Sequence, residues 1–343
     1  MKVRFKKYTL NFKRPSGTSR GVLRQKETYF IEITDGNRSG LGECGLFRGL
    51  SYDDVPGFEA QLAAVCKALE VGEDTSALCA NFPSIQMGVE MALLSFNSST
   101  PFQLFNTAFS RGQQPIAING LVWMGDVSFM RQQVFDKIDA GFDCIKLKIG
   151  ALDFEVECQL LAEIRERYPA KDVTLRVDAN GAFSPDEALE KLKILAEFDL
   201  HSIEQPIAAG QHKAMADLCA KTPLPIALDE ELIGVLQHDA KQKLLDYINP
   251  QYIIIKPSLL GGFAASEAWI GLAEERHIQW WVTSALESNV GLNAIAQWTA
   301  WLHTSTPQGL GTGSLFTNNI ESPLVVAKGM LHHNNSLTWC YRF

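Results

Sequence analysis

Six charged residues close short apolar runs in this chain, and the distance from one run to the next is nearly constant. Lys146 and Lys148 lie in Cys144-Ile-Lys-Leu-Lys-Ile-Gly150, and Asp178 ends Val173-Thr-Leu-Arg-Val-Asp178. Glu204 ends Ser202-Ile-Glu204, Asp229 ends Ile226-Ala-Leu-Asp229, and Lys256 ends Ile253-Ile-Ile-Lys256. Counted from Lys148, the steps are 30, 26, 25 and 27 residues. A strand, a helix and two loops take about that much chain. The repeat predicts βα units with one charge at the carboxyl end of each strand, and in a closed parallel barrel those ends converge on one mouth.

The size agrees with this. A barrel takes roughly 250 residues, so 343 leaves a smaller second unit. With 46% hydrophobic and 20% charged residues the composition is that of an ordinary globular protein. A net charge of −8 argues against nucleic acid or an anionic membrane surface as partner. The seven cysteines are scattered without a CxxC pair, which predicts reduced, mostly buried thiols. The start, Met1-Lys-Val-Arg-Phe-Lys-Lys7, lacks the apolar stretch of a signal peptide, and no run approaches the ~18 apolar residues of a membrane span. These features together predict a cytoplasmic protein. They leave its oligomeric state open, a homo-oligomer included.

Residues 1–110 read as an α+β unit. Val3–Phe12 and Glu27–Ile33 are β-rich, with turns at Asp35-Gly36 and Arg38-Ser-Gly40, and helices follow near 54–70 and 84–96. Arg111-Gly-Gln-Gln-Pro115 is a polar boundary. From Ile116 the pattern becomes regular: strand 1 over Ile116–Val122, a helix over about 127–140, strand 7 over Ile278–Thr283, and a short strand 8 near Gly309–Ser314. Ser184-Pro-Asp-Glu187 is a capping box that starts one of the barrel helices. Eight such strands give a (β/α)8 barrel over 111–322. The tail, 323–343, fits no further βα unit and is expected to return to the first domain.

Strand side chains alternate, so Lys146 and Lys148 share a face, and Arg176 shares one with Asp178. Asp178, Glu204 and Asp229 are hard oxygen donors from adjacent strands, a set that suits Mg2+, with Mn2+ the alternative. The competing account is a structural one, in which carboxylates and lysines only pair with each other. Lys148 and Lys256 stand on strands 2 and 6, nearly opposite in an eight-strand ring. That arrangement suits removal of a proton alpha to a carboxylate: a metal favours the enediolate, and crowded cations lower a lysine's pKa.

Lys146-Leu-Lys148, Val177-Asp-Ala-Asn-Gly181, Ile203-Glu-Gln-Pro206, Leu228-Asp-Glu230 and Ile255-Lys-Pro-Ser258 resemble the muconate-cycloisomerase subgroup of the enolase superfamily, in order and in spacing. The resemblance spans nearly the whole chain. It implies that residues 1–110, joined by 323–343, cap the barrel, that Asp178, Glu204 and Asp229 bind Mg2+, and that Lys148 and Lys256 do the acid–base work. Glu231 departs from the pattern, which commonly has a small hydroxyl residue there, and is expected to add charge near the mouth. Glu230 points away by parity and is expected to partner a lysine.

The subgroup includes dipeptide epimerases, N-acylamino acid racemases, muconate cycloisomerases and o-succinylbenzoate synthases. Gly309–Asn319 has no acid to meet a dipeptide's ammonium group, as the Asp-x-Asp of the epimerases does, and its Gly311 and Thr312 offer donors to an anion instead. Lys146, Arg176 and Ser284 join these as candidate substrate-binding residues. Ser284–Gly291 and Lys256–Gly262 look most like the o-succinylbenzoate synthases. That resemblance implies a small anionic substrate and loss of water, with Lys148 moving the proton. Gly17–Arg20 and Gly45–Gly49 are candidate loops over the mouth. A Schiff-base lyase built on Lys256 and a non-catalytic binding barrel remain as alternatives, although neither uses three convergent carboxylates.

Overall fold

A computed structural model describes residues 1–18, 21–100 and 102–341 of the chain. The amino-terminal unit is an antiparallel sheet of β1 (Lys2–Thr18), β2 (Gly21–Thr34) and β3 (Ser39–Cys44) in that order, backed by α1 (Phe58–Val71), α2 (Ser76–Cys79) and α3 (Pro83–Asn97). Tyr29, Ile31 and Ile33 of β2 share one face and pack on Leu62, Val65 and Val89 from the helices, while Phe30 on the other face joins a separate cluster. Helix α3 lies directly on β3. A Cβ at Gly42 would stand 1.9 Å from the Gly88 carbonyl oxygen, so only glycine permits this approach.

Next comes β4 (Ile116–Ala117), followed by the barrel strands β5 (Gly120–Val122), β6 (Cys144–Lys148), β7 (Thr174–Asp178), β8 (Ser202–Glu204), β9 (Ile226–Leu228), β10 (Tyr252–Ile255) and β11 (Gln279–Val282). β5 to β11 form one parallel sheet in chain order. The helices outside it are α4 (Val127–Asp139), α5 (Phe154–Arg167), α6 (Pro185–Ala196), α7 (His212–Lys221), α8 (His238–Ile248), α9 (Pro257–Leu260), α10 (Gly262–Glu274) and α11 (Asn289–Trp301). Asp126 caps α4 by accepting from the Phe129 amide, and the Ser184 amide donates to Glu187 at the start of α6, as the capping box predicts. Outward residues such as Ile145, Leu147, Val177, Ile203 and Ile255 join the helices in one continuous core.

Parallel bridges Thr283–Gly309 and Ile118–Gln308 close the ring, so its eighth member is only two residues long. The expected strand through Ser314 is instead a 3-10 turn at Thr312–Leu315. Glycines at 309, 311 and 313 give that segment little strand preference. The expected first strand is also split. β4 leaves the ring to pair with a carboxyl-terminal hairpin of β12 (Leu324–Ala327) and β13 (Met330–His333). The hairpin turns through Lys328 and Gly329, both at positive φ, as a tight two-residue turn requires. Beyond it, Trp339 stacks on Phe102 at 4.1 Å and Tyr341 meets Phe30 of the amino-terminal sheet at 5.6 Å. Among the described residues no helix is long and apolar enough to cross a membrane, and the cysteines are unpaired.

At the amino end of the barrel strands, half-buried His201 packs 5.0 Å from the Tyr252 ring and 5.9 Å from Trp281. Burial, with the Arg176 charge nearby, pushes its imidazole down to about 4. The unfolded chain, with an ordinary value near 6.5, binds more protons than the folded one between those limits. Its contribution to stability is therefore full above about 6.5 and is lost as pH falls towards 4. In denaturant titrations at pH 7 and pH 5, His201→Phe should lose less stability over that interval than the parent, and an equal loss would contradict this assignment.

Candidate active site

The ladder register brings the charges together. Lys148 pairs with Asp178 across β6 and β7, and Asp178 with Glu204 across β7 and β8, while Asp229 and Lys256 directly follow β9 and β10. Asp178, Glu204 and Asp229 each place an oxygen within 4.8 Å of the others, and all three are buried. Lys146 Nζ donates to Asp178 at 3.1 Å and to Glu204 at 2.7 Å. Lys148 Nζ donates to Asp178 at 2.6 Å and to Asn180 Oδ1 at 2.7 Å. Lys256 Nζ donates to Asp229. All three lysines border one cavity, walled by Leu23, Phe47 and Leu50 from the amino-terminal unit and by Trp123, Leu286 and Thr312 from the barrel.

The same burial acts differently on each group. Burial pushes the Asp178 carboxyl up, but Lys148 and Lys146 outweigh it and hold the group well below the usual range. Burial drives Glu204 up to about 7 against the pull of Lys146, with Asp178 and Asp229 adding to the rise. Burial lowers Lys148, and Lys146 and Lys256 add to that, so it stays below an ordinary lysine despite Asp178. For Lys146 the burial penalty is outweighed by Glu204 and Asp178, and for Lys256 by Asp229 and Glu230, so both lie above the ordinary value. The two lysines facing each other across the mouth therefore differ, Lys148 lying below the ordinary lysine value and Lys256 above it.

The three carboxylates fit a divalent ion. Glu204 Oε1 is buried with no hydrogen-bond partner, an oxygen that only a cation or a further donor would satisfy. The donor set is all oxygen, which suits a hard ion. Among the described residues no other group of His, Cys, Asp and Glu converges in this way.

Nine of the ten residues singled out from sequence meet at this cavity or at its floor. Ser284, Gly311 and Thr312 line it with the lysines, and the carboxylates lie just beneath. Arg176 is the exception and a correction. It does face inward, but parity gives a face and not a depth, and two residues set it roughly 6.6 Å below Asp178 along the strand. There it stacks over Trp281 at 4.1 Å and donates to the Pro307 carbonyl, away from the cavity. The hydroxyls are also already engaged: Thr312 donates to Ser284 at 2.8 Å, and Ser284 to Glu287 at 2.6 Å.

Glu231 adds no charge at the mouth. The turn at Glu230–Leu232 directs it outward, where it accepts from Gln205 Nε2 and the Gly210 amide at 2.8 Å each, with His212 at 3.1 Å. Asn180 was missed. Held at φ 45°, it receives Lys148 and donates to Glu230 at 3.0 Å, and the Asn-Gly pair after the strand was its signal. Gln205 was missed too: its side-chain oxygen accepts from the Asp229 and Glu231 amides at 3.2 Å each. Of the two expected loops, the one at 45–49 contributes Phe47 to the wall, whereas Ser19 and Arg20 of the other lie outside the described residues.

Comparison with known proteins agrees with this geometry. A family model described as Enolase C-terminal domain-like matches residues 130–336. An o-succinylbenzoate synthase of Desulfotalea psychrophila is 46% identical, over 96% of this chain and 98% of that one. One from Vibrio cholerae is 28% identical over 88% and 86%. The crystal structure of MenC from Desulfotalea psychrophila superimposes with a TM-score of 0.88 at 42% identity, covering 97% and 99%. The L-Ala-D/L-Glu epimerase from Bacillus subtilis reaches 0.83 at 20% identity over 97% and 96%, a likeness of fold alone.

A divalent ion held by the folded chain alone should raise its melting temperature. At a hundredfold excess over its dissociation constant the gain is about 2.7 kcal/mol. Thermal melts with and without Mg2+ or Mn2+ should show this rise in the parent and lose most of it in Glu204→Gln, while that variant without metal melts no lower than the parent. A rise of equal size in both proteins would remove Glu204 from the metal set.

Proposed function

This chain belongs to the enolase superfamily, and on that footing we propose that it acts as an o-succinylbenzoate synthase. The reaction is a Mg2+-dependent loss of water from succinyl-hydroxycyclohexadiene carboxylate, a small dianion, in menaquinone biosynthesis. The observation that carries this proposal is the opposition of Lys148 and Lys256 across the carboxylate triad, under a wall supplied by the amino-terminal unit. The likeness to an o-succinylbenzoate synthase over nearly the full length of both chains supports the choice of reaction. We place the enzyme in the cytoplasm, with residues 1–110 and 323–343 as the cap on a 111–322 barrel.

Asp178, Glu204 and Asp229 would hold the ion, whose positive charge lowers the cost of negative charge building up on the substrate carboxylate. Lys148, whose pKa burial and the neighbouring lysines lower, takes the ring proton alpha to that carboxylate. It then returns the proton to the departing hydroxyl on the same face. One C–H and one C–O bond break, a ring double bond forms, and water leaves. Lys256 keeps its charge and faces the developing anion from the other side. Lys146 stays bound between Asp178 and Glu204 and balances them. Leu23, Phe47 and Trp123 pack the ring and keep water out.

The two-lysine arrangement would also serve racemisation of N-acylamino acids, so the assay must include them. Ultraviolet detection should show o-succinylbenzoate forming with Mg2+ present and stopping with excess chelator. Free-amino dipeptides should be poor substrates, because Gly309–Asn319 offers no carboxylate to the ammonium group and burying it unpaired is costly. Epimerisation of such a dipeptide at a rate matching the dehydration would overturn this account of the loop.

The two lysines can be separated. A carboxylate with an alpha proton but no leaving group should exchange that proton with deuterated solvent in Lys256→Arg, where a cation remains. It should not exchange in Lys148→Arg, because a guanidinium cannot act as base near neutral pH. Exchange in Lys148→Arg with none in Lys256→Arg would show that the faces are reversed.

A further inference from the structure

A buried charge cluster joins the cap to one wall of the site and takes no part in the chemistry above. Lys26 stands on β2 with 5% of its surface exposed, and its Nζ has no hydrogen-bond partner among the described residues. Burial lowers its pKa, opposed by two fully buried carboxylates, first Glu43 on β3 and then Glu287 in the segment between β11 and α11. Thr28, two residues further along the same face of β2, donates to Glu43, and Gly291 packs against both carboxylate side chains. Both are already engaged. Glu43 accepts from Thr28 Oγ1 at 2.8 Å and from the amides of Ser288 and Gly291 at 2.9 and 2.8 Å, which ties the first turn of α11 to the cap. Glu287 accepts from Ser258 and Ser284 hydroxyls at 2.6 Å each.

Those two serines lead to the site. Ser258 lies two residues after Lys256, and Ser284 lines the cavity beside Leu286 and receives Thr312. The parts fit without slack. A Cβ on Gly45 of the cap would lie 2.7 Å from Ser258 Oγ, and one on Gly291 would lie 2.8 Å from Glu287 Cβ and 3.0 Å from Glu43 Oε2. Two carboxylates against one ammonium group leave surplus negative charge in a dry interior, where an uncompensated carboxylate is costly.

We propose that Lys26 is a positioning residue: from the cap it holds Glu287 as the acceptor that fixes Ser258 and Ser284, so that docking of the cap sets the wall beside Lys256. This inference draws on the proposed dehydration only for what that wall receives. Residues 284–291 are thus expected to be ordered by a charge on a different domain.

Lys26→Met keeps most of the stem and removes the charge. Amide hydrogen exchange over 284–291, measured without substrate, should quicken by roughly tenfold. KM for the dehydration should rise by a similar factor, with kcat within about threefold, the range that coupled neighbours show when one is cut. Adding Glu287→Gln to Lys26→Met removes the acceptor that Lys26 is proposed to hold and should therefore quicken exchange and raise KM little beyond the single variant. A role in stability alone would lower the melting temperature and leave KM in place. Unchanged exchange and KM, or losses that simply add in the double variant, would overturn the proposal. If Lys26→Met does not fold, Glu287→Gln alone should raise KM about tenfold with kcat retained, and an unchanged KM counts against the proposal in the same way. A parent enzyme that forms no o-succinylbenzoate ends the functional proposal, and the exchange measurement still decides the role of Lys26.

Discussion

Cancellation of charge inside a closed ring is the constraint on which this molecule depends. Three carboxylates and three ammonium groups occupy the mouth of the barrel, nearly all of them buried. Any one of them alone would cost several kcal/mol in such a place. They are tolerable because adjacent strands in register deliver opposite charges side by side, with Lys148 beside Asp178 and Lys146 reaching both Asp178 and Glu204. The same balance underlies the chemistry proposed for the site. A cluster that sums to zero becomes positive when it takes up a divalent ion, and excess positive charge is what frees a lysine of its proton. Fold and reactivity thus rest on one arrangement.

That arrangement was legible in the sequence because it is periodic. Strand ends recur at the spacing of a βα unit, and residue type at each end tells carboxylate from amine, so the six charges could be placed without coordinates. Features without a period were harder. Alternation put Arg176 on the inner face but could not say that its guanidinium would settle on Trp281, a layer below the cavity. Glu231 escaped the alternation altogether, because the strand ends at Leu228 and a tight turn follows. The closing strand of the ring is expected near Gly309–Ser314, but in that glycine-rich stretch its extent was not legible, and it is two residues at Gln308 and Gly309. The contact of Glu43 with Ser288 spans 245 residues, and nothing local in either segment announces it.

The cap does more than cover the barrel. Phe47, Leu50 and Leu23 give the cavity its apolar wall, while Glu43 caps α11 and Lys26 offsets the carboxylate that orders Ser284. In the proposed function the barrel brings the reacting groups, and the amino-terminal unit brings part of the surface that they face. Such a division lets one set of barrel charges serve several reactions, with specificity carried by loops that are free to vary.

The claim on which all of this turns is that the three carboxylates hold a metal ion between the two opposed lysines. Anomalous diffraction from crystals grown with Mn2+ tests it most directly. The account predicts one strong peak within ligand distance of Asp178, Glu204 and Asp229, with Lys148 and Lys256 on opposite sides of it. A structure in which Mn2+ binds elsewhere and the carboxylates keep only their lysine partners would contradict it, and would leave the cluster as a structural ion-pair network.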